Sequence, residues 1–197
     1  MWIKALTILY FTLAGYDMLG QVHEGASHQF RAIASFELLD INQQKNTRIN
    51  PDEKPLSLFL FLSPECPLCQ NYTLTINGLQ QKFNQLNVYG IIPGNAYTVE
   101  DAVNFQNKYH TRFKILIDSK LKFTHYLKAT ITPQAILLDS KGNLLYTGAI
   151  DDWVQGLGKK RTRATRNYVQ DAIEQTLQQT PVKVQKMKAF GCKINDY

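Results

Sequence analysis

Apolar and polar positions fall in blocks that predict a mixed α/β chain. Residues 30–39 (FRAIASFELL) read as a first strand or a pair of short strands, and residues 40–55, polar with two prolines, as a loop. Residues 56–62 (LSLFLFL) form a nearly unbroken apolar run, the pattern of a strand buried on both faces of a sheet. A helix is predicted from Pro67 to about Phe83, because proline is tolerated in a first helical turn and Leu74, Leu79 and Phe83 recur at roughly helical spacing. Residues 86–92 (LNVYGII) give the next strand. Thr98 is placed to cap a helix reaching residue 110, with Asp101 three positions on and Val103, Phe105 and Tyr109 following. Residues 113–117 read as a short strand and 119–127 as a short helix. Residues 134–139 and 143–150 pair as a hairpin through Ser140-Lys141-Gly142. After a loop containing Gly156 and Gly158, residues 165–178 read as a closing helix and 180–197 as a tail.

A length of 197 residues fits one compact domain with some decoration. The first twenty positions read differently from the rest. Lys4 supplies a positive charge, residues 5–16 (ALTILYFTLAGY) an apolar run, and Gly15 and Gly20 small residues before Gln21. The run is too short to span a bilayer comfortably and is followed at once by Asp17. The pattern predicts an export signal cut near Gly20–Gln21, with an uncleaved anchor or a buried first helix as alternatives. No cysteine stands at that cut, so a lipid anchor is not expected. The organisation expected is a signal over 1–20, a domain over 21–154, and a basic helix and tail over 155–197 packed on that domain. The net charge of +6 is local: residues 155–197 carry nine Lys/Arg against three Asp/Glu, and residues 21–154 carry twelve of each sign. Such a basic segment could meet an acidic partner, nucleic acid or anionic lipid. A solvated helix face is the favoured reading, and no nucleic-acid motif is present.

Export places the three cysteines, Cys66, Cys69 and Cys192, in a disulfide-permissive compartment, and the odd count leaves at least one without a partner in the chain. A glycan on the sequon Asn71-Tyr72-Thr73 would obstruct the neighbouring cysteines, so a bacterial periplasm or extracellular space suits the chain better than a eukaryotic secretory route. Cys66 and Cys69 follow a buried strand and open a helix, and their spacing brings both sulfurs to one side. The helix N-terminus stabilises a Cys66 thiolate, which predicts Cys66 as the exposed nucleophile and Cys69, one turn inward, as the shielded resolving thiol. Covalent haem attachment needs histidine after the second cysteine, and position 70 is Gln. A zinc site would need Cys192 and one of His23, His28, His110 or His125, and a permanent structural disulfide would be strained at this spacing. No cofactor and no metal are therefore expected. Thr132-Pro133 precedes the apolar run 134–139, where proline opening a strand is ordinary edge placement.

The motifs SPECPLC, TPQAILLDSKGNLLYTGAIDD and a C-terminal FGCKI make the chain from about residue 30 to 152 resemble the redoxin branch of the thioredoxin-like superfamily. That branch includes the alkyl hydroperoxide reductase/thiol-specific antioxidant proteins and exported thiol–disulfide oxidoreductases. The resemblance implies a three-layer α/β sandwich, a central mixed sheet with helices on both faces. It also implies that Thr132 and Pro133 form a cis-proline loop facing the cysteines, with the backbone before the proline pairing with the substrate chain. The activity implied is disulfide exchange with exported or periplasmic thiol/disulfide proteins, supplied by a membrane electron donor. Neither nucleic acid nor stable membrane insertion after signal removal is expected. Two departures stand out: Glu65 replaces the usual Trp, and Leu60 replaces the buried acid six residues before the first cysteine. Pro67-Leu68 between the cysteines adds neither charge nor histidine, which implies a moderately reducing site.

Two other functions are open to the same residues. A thiol peroxidase would use Ser63 before the peroxidatic Cys66 and an arginine such as Arg112 or Arg161, although Phe59 stands where proline is usual. A copper-binding redoxin could use Cys66, Cys69 and Cys192 as three soft ligands. Cys192 could approach Cys66 as a third redox thiol, bond another chain, or pack as a small apolar group. Trp153, Tyr168 and Phe190 are expected to pack the extension onto the domain, and Asp151-Asp152 to be turn residues.

Overall fold

The computed structural model describes residues 32–51, 53–156 and 158–195, so the expected export segment lies outside it. Seven strands build its centre: β1 (Glu37–Asp40), β2 (Lys45–Arg48), β3 (Leu56–Phe61), β4 (Leu86–Pro93), β5 (Lys114–Asp118), β7 (Gln134–Asp139) and β8 (Leu144–Gly148). They lie in the order β2-β1-β5-β4-β3-β7-β8. Strands β3, β4 and β5 run parallel, while β7, β8 and the β1–β2 hairpin pair antiparallel. Short β6 (Ile131–Thr132) precedes β7.

Central β3 is buried at all six positions, which explains why five of them are apolar, Ser57 being the exception. Its side chains alternate between two cores. Leu56, Leu58 and Leu60 join Tyr72, Ile76, Phe105, Val169 and Ile173, from α1 (Pro67–Lys82), α2 (Val99–Lys108) and α4 (Tyr168–Leu177). Phe59 and Phe61 face the other way, with Tyr89 and with Phe123 of α3 (Lys122–Tyr126). Helices thus cover both faces of a mixed sheet, a thioredoxin-like three-layer arrangement. Helix α2 starts at a capping box in which Thr98 Oγ1 accepts the Asp101 N–H and Asp101 accepts the Thr98 N–H. Among the described residues no helix is long and apolar enough to cross a membrane.

The structure departs from the sequence pattern at five places. Residues 32–34, expected in a strand, form a helical turn, and β1 begins only at Glu37. Leu74 is 76% exposed; the buried stripe of α1 is Cys69, Tyr72, Thr73, Ile76, Asn77 and Leu79. Residues 45–48, expected in a loop, form edge strand β2, mostly exposed and therefore without an apolar signature. The loop around Gly156 and Gly158 is a small hairpin of β9 (Val154–Gly156) and β10 (Lys159–Lys160), turned by Gly158 at φ +72°. The tail is held on the sheet, by a bridge from Lys186 to Thr147 and by β11 (Cys192–Lys193), which pairs with β6.

Candidate redox site

The chain leaves β3 at Phe61 and reaches Cys66 through Ser63-Pro64-Glu65. Cys66 is the N-cap of α1 in an extended conformation, and Pro67 opens the helix. The Cys66 N–H donates to Ser63 O at 3.1 Å and Gln70 Nε2 to Pro64 O at 2.8 Å, which fixes this entry loop. One turn on, Cys69 is fully buried, and its Sγ accepts the Ser63 N–H at 3.4 Å.

Opposite the helix start lies the loop before β7. The Thr132–Pro133 peptide bond is cis. Gln134 Oε1 accepts the Thr130 and Ile131 N–H groups at 3.0 and 3.4 Å and so shapes this loop. In its protonated form Cys66 Sγ donates to Thr132 O at 3.4 Å. The third cysteine closes the arrangement: Cys192 Sγ donates to Cys66 Sγ at 3.0 Å. Cys66, which the sequence predicts as an exposed nucleophile, is only 2% exposed. Thr132 O and, from the paired tail strand, Cys192 Sγ both lie against its sulfur, and the remainder of the side chain joins the α1-side core. What remains open beside it is a cleft of about 360 Å³, lined by Ser63, Glu65, Tyr97 and Leu121 among others.

The three thiols are electrostatically unequal. Cys66 falls to about 5, chiefly through the hydrogen bond from the Cys69 thiol, with further help from Cys192 and the N–H groups of Cys69 and Leu68, and against the effect of burial. Burial pushes Cys69 well above the ordinary thiol range, and the neighbouring Cys66 pushes it further. Cys192 is pushed up to about 11, first by burial and then by Cys66. At neutral pH the arrangement holds one thiolate between two protonated thiols.

Other residues singled out by sequence lie elsewhere. Asp151 is buried and accepts from Tyr72 and from the Trp153 N–H. Asp152 is bound by Thr165, the Arg166 N–H and Arg161, the last at 3.2 Å. Arg161 is thus engaged away from the thiols, while Arg112 is exposed, with its N–H on Asn77 Oδ1. Trp153 packs edge-on to Tyr72, and Tyr168 joins the α1-side core. Leu60 lies in that same core. Phe190 is half-buried beneath Lys188. Among the described residues no cluster of three His, Cys, Asp or Glu side chains is placed to hold a metal; His23 and His28 lie outside those residues. Two contributors carried no readable signal in sequence: Tyr97, whose hydroxyl accepts from Ser63 Oγ at 2.9 Å, and Gly191, packed on Thr132.

The family profile described as Redoxin matches residues 29–157. Among solved structures, a hypothetical protein of Sinorhizobium meliloti is 24% identical, with a TM-score of 0.72 over 82% of this chain and 91% of its own. An uncharacterized conserved protein of Geobacillus kaustophilus is 18% identical, with a TM-score of 0.70 over 82% and 88%. A secreted disulfide oxidoreductase of Mycobacterium tuberculosis, homologous to Escherichia coli DsbE, is 14% identical, with a TM-score of 0.51 over 59% and 82%. At these identities the likeness is one of fold. No curated protein matches the chain.

Proposed function

Because the chain belongs to the Redoxin family of thioredoxin-like oxidoreductases, we propose that it exchanges disulfides with exported proteins through Cys66 and Cys69. The observation that carries this reading is the opposed setting of two thiols one helical turn apart, Cys66 lowered to about 5 and Cys69 raised by burial. The Cys66 thiolate attacks a sulfur of a substrate disulfide, and the substrate's other sulfur leaves with the electron pair. Cys69 then loses its proton and attacks Cys66 Sγ, which releases the reduced substrate and leaves a Cys66–Cys69 disulfide. Leu60 stands where an acid would take the Cys69 proton, so the substrate's leaving thiolate is the acceptor this site favours. Thr132 and Pro133 present main chain beside Cys66, where an extended substrate segment would pair. Each reducing turnover consumes two electrons, which a membrane electron donor would restore in an exported setting. The charged-then-apolar start of the sequence and the secreted structural neighbour support that setting.

The test is trapping with the Cys69→Ser/Cys192→Ser double variant, which leaves Cys66 alone. A mixed disulfide with exported proteins, abolished by Cys66→Ser, is the expected result. Absence of any adduct together with rapid peroxide consumption by the native chain would overturn the reading in favour of a thiol peroxidase.

A further inference from the structure

An extended, cysteine-bearing strand already occupies the groove beside Cys66, and it belongs to the chain itself. Strand β11 pairs antiparallel with β6, Cys192 opposite Thr132 and Lys193 opposite Ile131. The Ile194 N–H donates to Thr130 O at 3.0 Å, and the Cys192 thiol donates to Cys66 Sγ at 3.0 Å. Upstream, the same segment is fastened to the outer edge of β8: the Thr147 N–H donates to Gln185 O at 2.9 Å and the Met187 N–H to Thr147 O at 3.1 Å.

Two glycines make this path sterically open. A Cβ on Gly191 would fall inside the Thr132 carbonyl oxygen and lie 3.1 Å from Pro133 Cδ. A Cβ on Gly148, at φ +138°, would collide with the Met187 carbonyl. A cysteine that merely filled a surface gap would need neither the main-chain pairing nor a residue without a side chain just before it. The pairing delivers one particular sulfur to one particular sulfur, as β-augmentation delivers a bound peptide.

We propose that Cys192 is a third redox thiol that forms a disulfide with Cys66, and that residues 191–194 act as an internal substrate which external segments must displace. The displacement rests on the exchange reaction proposed above; the internal disulfide does not. In the oxidised chain, Cys192 gives up its proton and attacks Cys66 Sγ. The Cys66–Cys192 bond forms, the Cys66–Cys69 bond breaks, and the electron pair leaves on Cys69, which takes a proton. The step is an isomerisation and needs no outside oxidant or reductant. Its reverse, attack by Cys69 on Cys66, is the same chemistry that resolves a mixed disulfide. The internal disulfide therefore parks the oxidised enzyme in a form whose substrate groove is filled.

The full-length Cys69→Ser chain, oxidised with oxidised glutathione, tests the bond directly. Cys66 reacts with the glutathione disulfide, and Cys192 then displaces glutathione as its thiol. A neighbouring thiol acts at an effective concentration of about millimolar or more, so the Cys66–Cys192 peptide should exceed the Cys66–glutathione adduct by roughly tenfold when glutathione is well below that. Gly191→Ala in the same background should reverse the preference, since it lifts the strand and keeps the thiol. A dominant glutathione adduct with free Cys192, or a crosslink indifferent to Gly191→Ala, would overturn the proposal. Trapping separates this idea from the exchange reading. Exported proteins captured by the Cys69→Ser/Cys192→Ser variant and much less by Cys69→Ser alone would support the internal substrate. Equal capture by both would overturn it. Mapping of the Cys66–Cys192 bond with no protein captured by either variant would support the third thiol and remove the proposed protein substrates.

Discussion

Tyr72 donates its hydroxyl hydrogen to Asp151 Oδ1 at 2.6 Å, across 79 residues of sequence. The bond joins the helix that carries Cys69 to the turn between β8 and β9. Asp151 Oδ1 also accepts the Trp153 N–H at 2.8 Å, and the Trp153 ring packs edge-on to Tyr72 at 5.5 Å. Burial lifts the Asp151 carboxyl above its usual range in spite of both donors.

Removing the hydroxyl leaves a buried carboxylate short of a partner. Tyr72→Phe should therefore lower stability by about 1–3 kcal/mol, measured by denaturant unfolding at neutral pH. A loss below a few tenths would show that water replaces the donor. Asp151→Asn keeps the Oδ1 acceptor and removes the titration. The native carboxyl holds its proton to higher pH than the unfolded one, so the native chain should lose stability relative to Asp151→Asn as pH rises through the raised native value. A constant difference between the two chains from pH 4 to 7 would contradict that shift.

The two faces of α1 make a second pair of expectations. Leu74 is exposed and Ile76 fully buried. Leu74→Gln, a swap between good helix formers, should change stability by no more than about 0.5 kcal/mol. Ile76→Ala should cost about 2–5 kcal/mol, because it empties part of the core between α1 and the sheet. Similar losses in the two variants would mean that the helix is rotated about its axis.

That contrast also shows how far the pattern in the sequence reaches. The nearly unbroken run at 56–62, with Ser57 its one polar residue, marks the central strand because burial on both faces favours apolar residues, and Thr98 with Asp101 marks a helix start because a capping box needs both side chains. Leu74 misled, since a single exposed leucine on a helix is indistinguishable in sequence from a buried one. Strand β2 and the tail pairing leave no trace in the sequence for a different reason. Edge strands and strand additions are held by main-chain hydrogen bonds, which impose almost no side-chain pattern. Cys66 and Cys69 were legible as a site because their spacing is itself chemical information. The burial of Cys66 was not, because the groups lying on its sulfur, Thr132 O and Cys192 Sγ, come from segments 66 and 126 positions away.

Gly90 offers a packing test near the sheet centre. A Cβ there would lie 2.8 Å from Phe113 Cε2 and 3.1 Å from Leu62 Cδ1, and both side chains are buried. Gly90→Ala should cost about 1–3 kcal/mol by overpacking. Phe113→Leu in the same chain should recover part of that loss, so a double-mutant cycle should show coupling; strict additivity would place the strain elsewhere.

The last expectation concerns the thiolate itself. Cys66 titrates near 5, so its alkylation by iodoacetamide, followed by peptide mass spectrometry, should rise through about that pH and level off by neutrality. In Cys69→Ala the largest stabiliser of the thiolate is gone, and the midpoint should move upward; an unmoved midpoint would assign the shift to the helix N-terminus and Cys192. The same displacement acts on folding. Cys66 releases its proton at lower pH in the native state than in the unfolded chain, where a thiol titrates at about 8.5. The reduced protein should therefore gain stability as pH rises from about 5 toward the ordinary thiol value, and Cys66→Ser should abolish the gain. Above that value the sign reverses, because Cys69 and Cys192 keep protons that the unfolded chain has already lost. Stability of the reduced form should then pass through a maximum at about 8.5, and a profile that kept rising beyond it would contradict the raised settings of those two thiols.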